Sequence, residues 1–378
     1  MATLYLFNPE NDLALGSGHS NYFPPRNALE LRRSGAMLPL WYASGDDKVL
    51  TDSLPPAEWF ETITEAFGLG ASPVLAADPS IERCSPWGWS SYVRSQFLKA
   101  GVNTHCLPDE KRLERIRELS HRRSSVAILQ ALRERGLYKG ELPAVVTEVD
   151  EVKRMLGNAG SEGIYLKAPW SSTGRGVIPS SSLPADTLLT QAEGIIRHQG
   201  SAVVETGYAR QLDFAMLFHK AEGGAVRYIG LSLFDTLSRS YSGNRLLTDD
   251  AISAIIGQYA SISELDAVAN ALPEILNDLT GQDYAGYFGV DMMVVRDDDA
   301  GAWIHPCVEI NLRMTMGVVA HIFRERYLAP DGTGYLTVAM GERSTRIPVI
   351  ECGRLVEGDL NLVPPGGKFS LIVSADRV

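Results

Sequence analysis

The chain has 378 residues, of which 45% are hydrophobic and 21% are charged, and its formal net charge at pH 7 is −11. This length is sufficient for two or three domains with large cores. The acidic balance argues against non-specific binding to nucleic acid or to an anionic membrane surface, because both require a basic protein surface. We therefore expect neither kind of partner.

The cysteines and the apolar runs predict the compartment. The four cysteines are scattered, without a Cys-x-x-Cys pair or the spacing of zinc ligands. No apolar run approaches the roughly 20 residues that a transmembrane helix requires, and the apolar N-terminal stretch is too short for a signal peptide. These features predict reduced thiols in a cytoplasmic protein.

The first ~115 residues have the pattern of an α/β domain. Short apolar runs predict strands, and helical spacing between them predicts helices at 58–67 and 90–100. Alternation of this kind is typical of a parallel sheet, whose strands carry functional loops at their carboxyl ends. Residues 8–12 and 87–90 are therefore candidate site loops. The predicted strands are 4–7, 36–42, 73–77 and 102–105.

The rest of the chain predicts more helices and longer strands. Residues 109–135 have the pattern of two charged amphipathic helices, with Arg122 and Arg123 between them. Pro273 should kink or divide the last long helix. A β-rich tail follows residue ~326 and ends in a strand at 369–373. Further strands are predicted at 144–147, 163–168, 201–205, 211–219 and 226–234, and helices at 149–156, 188–199 and 264–279.

Lys167 lies at the end of a predicted strand and is followed closely by the loop Ser171-Ser-Thr-Gly-Arg-Gly176. Small residues allow backbone N–H groups to approach phosphate oxygens, and the lysine supplies a positive charge. The lysine precedes the loop, so the segment is not a Walker A motif. The alternative interpretation is an ordinary surface turn.

A predicted hairpin, 287–295 with 302–313, carries the most informative side chains. Glu309, Asn311 and Arg313 stand at i, i+2 and i+4, which places them on one face of a strand. Asp291 joins that face if the connecting loop has an odd number of residues, as the five residues 297–301 would provide. Oxygen ligands beside an arginine suit a magnesium-bound polyphosphate. The alternative is a solvated edge strand.

Taken in order, these segments resemble the ATP-grasp superfamily. The resemblance rests on Arg122, Lys167 with its loop, the strand end Val204-Glu205-Thr206, Asp291, and Glu309-x-Asn311-x-Arg313. It covers roughly residues 116–325 and implies an α/β and α+β fold. A pre-ATP-grasp-like parallel α/β domain (1–115) would precede an ATP-grasp domain with two subdomains (116–200 and 201–325). A small β-rich C-terminal extension (326–378) would follow.

The resemblance also implies roles for individual residues. Arg122 and Lys167 would contact phosphates, and Arg313, Lys167 and Arg239 would be the catalytic cations. The ribose contact stays open between Asp213 and Gln211. The implied nucleotide-binding set is completed by Ser171, Ser172, Thr173, Gly174, Arg175, Gly176, Val204, Glu205 and Thr206, and the implied metal ligands are Asp291, Glu309 and Asn311.

The function that the resemblance implies is an ATP-dependent ligase. Its cofactors would be ATP and Mg²⁺, with Mn²⁺ as an alternative. It would join a small-molecule or peptide carboxylate to an amine or thiol through an acyl phosphate. Two alternatives stay open: a phosphotransferase on the same fold, and a nucleotide-binding protein without turnover. The sequence names neither the acid nor the nucleophile, and it leaves the oligomeric state open.

Overall fold

The computed structural model describes residues 2–171, 176–237, 240–296, 301–341 and 345–377. These residues form three β-sheets flanked by helices. No helix in the described ranges is long and apolar enough to cross a membrane. The helices are α1 (Asn11–Ser17), α2 (Arg26–Ser34), α3 (Ala57–Phe67), α4 (Ser91–Lys99), α5 (Glu110–Leu119), α6 (Arg123–Glu134), α7 (Val149–Gly157), α8 (Ala185–Gln199), α9 (Asp249–Ile256), α10 (Ile262–Thr280) and α11 (Met316–Tyr327).

The N-terminal sheet is parallel, as the alternating pattern predicts. Its order is β3-β2-β1-β4, with β1 in the interior of the sheet. The carboxyl ends of its strands therefore meet at one edge, where the loop after β1 lies beside the loop after β4. The strands are β1 (Ala2–Leu6), β2 (Lys48–Leu50), β3 (Ser72–Val74) and β4 (Ile81–Pro86).

Two strand predictions in this region are wrong. Residues 36–42 contain a 3-10 helix, Leu38–Trp41, whose four residues are all buried. A short apolar run that is buried on every side has no period that separates a strand from a buried helical turn. Residues 102–105 also form no strand, because the Asn103 side chain accepts a hydrogen bond from the His105 amide and caps the 3-10 helix Thr104–Cys106. The strands β2 and β4 were not predicted.

A small antiparallel sheet follows, in the order β5-β8-β6-β7. Helices α7 and α8 pack together, and the buried Val152 and Leu188 on them belong to the same apolar cluster as the interior strand residues. Lys167 is the last residue of β6, and Val204 lies on the neighbouring strand, opposite Leu166. The strands are β5 (Ala144–Val146), β6 (Ile164–Lys167), β7 (Val177–Pro179) and β8 (Ala202–Thr206).

A nine-stranded sheet, β13-β12-β9-β10-β11-β14-β17-β16-β15, forms the largest unit. The predicted β-rich tail is confirmed, and its strands continue this sheet. Helix α10 runs undivided past Pro273. The domain boundaries at 115, 200 and 325 stay predictions. The strands are β9 (Arg210–Lys220), β10 (Val226–Leu237), β11 (Ser240–Leu246), β12 (Gly286–Val295), β13 (Trp303–Asn311), β14 (Thr333–Met340), β15 (Val349–Glu351), β16 (Arg354–Asn361) and β17 (Phe369–Asp376).

The hairpin β12–β13 lies at the edge of this sheet, and it places Asp291 and Glu309 on the same face, as predicted. Asp291 pairs directly with Glu309, and Gly289 pairs with Asn311. Residues that pair directly across two strands point to the same face, so both carboxylates lie on one side. The register shifts between Asp291 and Met293, which changes the pairing beyond the carboxylates without separating them.

Candidate active site

Asp291, Glu309 and Asn311 form the centre of the site on the outer face of the hairpin. The Asn311 amide nitrogen donates a hydrogen bond to Asp291 Oδ2 at 3.0 Å. The pKa of Asp291 is raised to about 7, first by desolvation and then by the neighbouring Glu309 carboxylate. The two facing carboxylates therefore repel each other, and a cation bound between them would relieve that repulsion.

Arg122 connects this face to the loop that follows Lys167. It immediately precedes α6 and is 5% exposed. Its Nη2 donates to both carboxylate oxygens of Glu309 at 2.8 Å, and its Nη1 donates to the Ala168 carbonyl at 2.8 Å and to Ser171 Oγ at 3.2 Å. One guanidinium thus joins β13 to the start of the predicted phosphate loop, although Arg122 and Glu309 lie 187 positions apart.

Arg313 is held by the N-terminal domain. Its Nε donates to both oxygens of Asp12, at 3.0 and 2.8 Å, and its Nη2 lies 2.8 Å from Asp12 Oδ2. Nη2 also donates to Asn311 Oδ1 at 2.9 Å. The Met314 amide donates to the Trp87 carbonyl at 2.7 Å, which fixes the end of β13 against the loop after β4. Residues 8–12 and 87–90, the predicted candidate site loops, therefore do meet the site.

Lys167 forms a buried ion pair with Glu205. Their side chains are 6% and 14% exposed, and they lie on the neighbouring strands β6 and β8. The pair occupies the position where the resemblance expects a phosphate contact beside the adenine-binding strand. Val204 is fully buried in the core of the small sheet, and Thr206 is the last residue of β8.

The predicted phosphate loop is described only at its ends. The Ala168 amide donates to the Gly176 carbonyl at 2.7 Å, so the two ends of the loop are close together. A Cβ at Gly176 would lie 2.4 Å from the Ser171 side chain, so a glycine is required there for this close approach. The predicted loop residues Ser172, Thr173, Gly174 and Arg175, and the predicted catalytic residue Arg239, lie outside the described residues.

The predicted ligands fit a hard divalent cation in their chemistry. Two carboxylates and one amide on one face supply the oxygen donors that Mg²⁺ prefers, and their negative surplus would be offset by the ion. In the described ranges no group of three His, Cys, Asp or Glu side chains could hold a metal alone. Ligation would therefore depend on Asn311 and on phosphate oxygens. The Asn311 oxygen faces Arg313, so the amide would have to turn to ligate an ion beside Asp291.

The sequence marked the segment 8–12 as a candidate site loop but did not assign Asp12 a role in the site. The signal for Asp12 was its place shortly after a strand of the parallel sheet, in the first turn of α1. Asn8 has a structural role, since its amide nitrogen donates to the Gly88 carbonyl at 2.9 Å and binds the two loops together. Trp87 is a packing residue against Phe7.

Comparison with known proteins identifies the fold. No protein-family model matches the chain, and the search of curated proteins found no match. Among solved structures, N5-carboxyaminoimidazole ribonucleotide synthetase from Thermus thermophilus is 14% identical, with a TM-score of 0.52, over 100% of this chain and 94% of that chain. The biotin carboxylase–β-γ-ATP complex from Campylobacter jejuni is 11% identical, with a TM-score of 0.51, over 100% of this chain and 87% of that chain.

A third structure agrees with these two. It is the biotin carboxylase domain of the Hydrogenobacter thermophilus 2-oxoglutarate carboxylase, in complex with MgADP, ADP and bicarbonate. It is 13% identical, with a TM-score of 0.50, and the match covers 99% of this chain and 85% of that chain. Identities this low establish the fold rather than the reaction. The chain shares the fold of these synthetase and carboxylase structures, which is the fold that its ordered motifs predicted.

Proposed function

We propose that this protein is an ATP- and Mg²⁺-dependent ligase that activates a carboxylate as an acyl phosphate and transfers the acyl group to an amine or thiol. The observation that carries the proposal is the position of Arg122. It contacts Glu309 on the candidate metal face and Ser171 at the start of the candidate phosphate loop, so both halves of a nucleotide site converge on one residue.

The chain's own residues supply most of the chemistry that phosphoryl transfer requires. Arg122, Lys167 and Arg313 would neutralise the charge of the phosphates, and the buried positions of Arg122 and Lys167 make their fields stronger than they would be in water. Mg²⁺, when bound to Asp291, Glu309 and Asn311, would neutralise the β- and γ-phosphate oxygens. The substrate carboxylate would attack the γ-phosphorus and ADP would leave.

The ion pairs in the structure indicate how the site would rearrange when a nucleotide binds. Lys167 is paired with Glu205, and Arg122 with Glu309, so each cation already has an acidic partner. Phosphate oxygens would compete for these cations, and the released Glu309 would become available to the metal. Ser171, Gly176 and residues 172–175 would close over the phosphates, and Val204, Glu205 and Thr206 would contact adenine. Arg239 would add a further cation near the phosphates.

The cytoplasmic location of the protein stays a prediction.

Trapping of the acyl phosphate tests this proposal. Pools of carboxylic acids are incubated with ATP, Mg²⁺ and hydroxylamine, which is a small nucleophile that converts an acyl phosphate to a hydroxamate and free phosphate. A ligase gives a hydroxamate and one ADP for each acid consumed, and an Arg313→Gln variant gives neither. ATP consumption with a phosphorylated hydroxyl compound and no hydroxamate would establish the phosphotransferase alternative instead.

A further inference from the structure

A cavity of about 620 Å³ lies at the carboxyl edge of the N-terminal parallel sheet. Leu6, Leu50 and Leu75 line it, at the ends of β1 and β2 and directly after β3. Helix α4 and the turn 364–368 close other sides. Open α/β sheets bind ligands outside the carboxyl ends of their strands, and this volume is typical of a site for a small molecule.

The cavity lining is basic in an otherwise acidic protein. Four basic side chains and two acidic ones, Glu30 and Asp52, line the cavity. The lining therefore has two more basic than acidic groups. The whole chain has a net charge of −11. A local reversal of sign in a concave site concentrates ligands of the opposite charge. The four cations are Arg32, Arg33, Lys99 and Lys368.

Arg32 is the buried member of this group. It is 9% exposed, and its Nη1 donates to Glu10 Oε1 at 2.9 Å, while the Glu10 side chain is fully buried. This pairing fixes the guanidinium in one orientation at the cavity. A guanidinium that is already oriented loses little conformational entropy when it binds the two oxygens of a carboxylate or phosphate.

Glu10, which precedes α1, and Asp12, in the first turn of α1, connect this cavity to the candidate active site. Glu10 holds Arg32 at the cavity, and Asp12 holds Arg313 at the end of β13. Glu10 and Asp12 are two residues apart, so their Cα atoms are separated by at most about 7 Å. One short segment of the chain therefore holds an arginine of each region.

We infer that the cavity binds an oxyanion group, a carboxylate or a phosphate, on the small molecule that enters the ligation. The identification of that molecule as a co-substrate rests on the proposed function. The binding of the oxyanion itself rests only on the cavity, its basic lining and the oriented Arg32.

Titration calorimetry with inorganic phosphate, and separately with succinate, tests this inference at constant ionic strength. The wild type should bind at least one of the two anions with a millimolar dissociation constant. The double variant Arg33→Gln/Lys99→Gln should weaken that binding about fivefold or more, because both cations line the cavity. The anion that binds with the higher affinity then shows whether the cavity prefers a phosphate or a carboxylate.

A matched control removes the same charge elsewhere. Lys111→Gln/Arg197→Gln also deletes two exposed cations, on α5 and α8, and neither lines the cavity. This variant should bind the anions like the wild type. If neither anion binds the wild type, or if both double variants change binding equally, the inference is wrong.

The same proteins separate this inference from the proposed function. A non-hydrolysable ATP analogue with Mg²⁺ should bind the Arg33→Gln/Lys99→Gln variant as it binds the wild type. If the ATP analogue binds neither the wild type nor the variants, but only the cavity variant has a weakened affinity for the anion, the cavity assignment stands and the ligase proposal fails. If the analogue binds normally and the cavity variant keeps full anion affinity, the cavity inference alone fails.

Discussion

Two charged regions of this protein are joined by residues 10–12, and the acidic and basic groups are present in opposite proportions in them. At the β12–β13 hairpin, three acids, Asp12, Asp291 and Glu309, face two cations, Arg122 and Arg313. At the N-terminal cavity, cations outnumber acids. An acidic surplus suits a divalent cation with its phosphates, and a basic surplus suits a free oxyanion.

The comparison explains why residues around the start of α1 are buried although they are polar. Asn8, Glu10 and Asn11 are each at most 1% exposed. This segment supplies an acid to each region, with Glu10 on Arg32 and Asp12 on Arg313. A polar segment placed between the two regions keeps the cations of both oriented, and this accounts for its composition.

The largest effect is expected at the Lys167–Glu205 pair. Lys167→Met leaves Glu205 nearly buried without its cation, which should lower the free energy of unfolding by about 3 kcal/mol. Lys167→Met/Glu205→Met should recover most of that stability, because an apolar pair can replace a buried ion pair. Urea unfolding measures both, with Arg135→Met at an exposed pair as the control, expected to change stability by less than about 0.5 kcal/mol.

The double variant also separates a structural role from a binding role. Its nucleotide affinity should stay lost after its stability is recovered, because no cation remains at that position. A stable double variant that binds the ATP analogue like the wild type would limit Lys167 to a structural role.

The acids Glu10 and Asp12 offer the next test. Asp12→Asn should cost about 2 kcal/mol of stability, since Arg313 loses a charged partner, and it should weaken binding of the ATP analogue. Glu10→Gln should instead strengthen binding of phosphate, because Arg32 loses a competing negative charge. Calorimetry measures the affinity of each variant for the ATP analogue and for phosphate. Equal effects of the two substitutions on both ligands would contradict the division into two regions.

The smallest expected effect is a dependence of stability on pH. Burial, followed by the nearby Arg123, Arg117 and Arg122, lowers the pKa of His121 to about 4. Burial and the nearby Lys167 lower the pKa of His305 to about 3. Unfolded histidines titrate near 6.5, so the unfolded state takes up protons first. Stability should therefore be complete above about pH 6.5 and should fall as the pH drops below that value.

Each of these two histidines should account for at most about 2 kcal/mol of the stability lost between pH 7 and pH 5, because one extra proton on the unfolded state is worth about 1.4 kcal/mol for each pH unit below 6.5. His121→Asn keeps an acceptor for the Arg123 amide and should flatten this part of the curve. His19→Gln replaces an exposed histidine and should leave the curve unchanged. Urea unfolding at pH 7, 6 and 5 measures the slopes, and an unchanged slope in His121→Asn would contradict the assignment.

The hairpin was predictable because its information is local. The spacing of Glu309, Asn311 and Arg313 follows from the period of two in a strand, and the parity of the loop places Asp291 on the same face. The small sheet was predictable for a similar reason, since β6, β8 and their helices have clear apolar periods.

The partners of the charged residues were not predictable from local pattern. Arg313 and Asp12 lie 301 positions apart, and Arg122 and Glu309 lie 187 positions apart. A pattern assigns a side chain to a face but does not say which element will cover that face. Trp41 shows the same limit, because its indole donates to the Leu362 carbonyl and packs with Tyr327 from distant segments, so its run formed a buried turn rather than a strand.

The most direct test of the central claim is calorimetric binding of a non-hydrolysable ATP analogue, with and without Mg²⁺. The proteins are the wild type, Glu309→Gln, and Glu274→Gln as a control at an exposed Arg–Glu pair. We predict that Mg²⁺ strengthens binding to the wild type and to the control, and that Glu309→Gln loses this dependence. Absence of binding to the wild type at about 1 mM nucleotide, or an unchanged Mg²⁺ dependence in Glu309→Gln, would contradict the account.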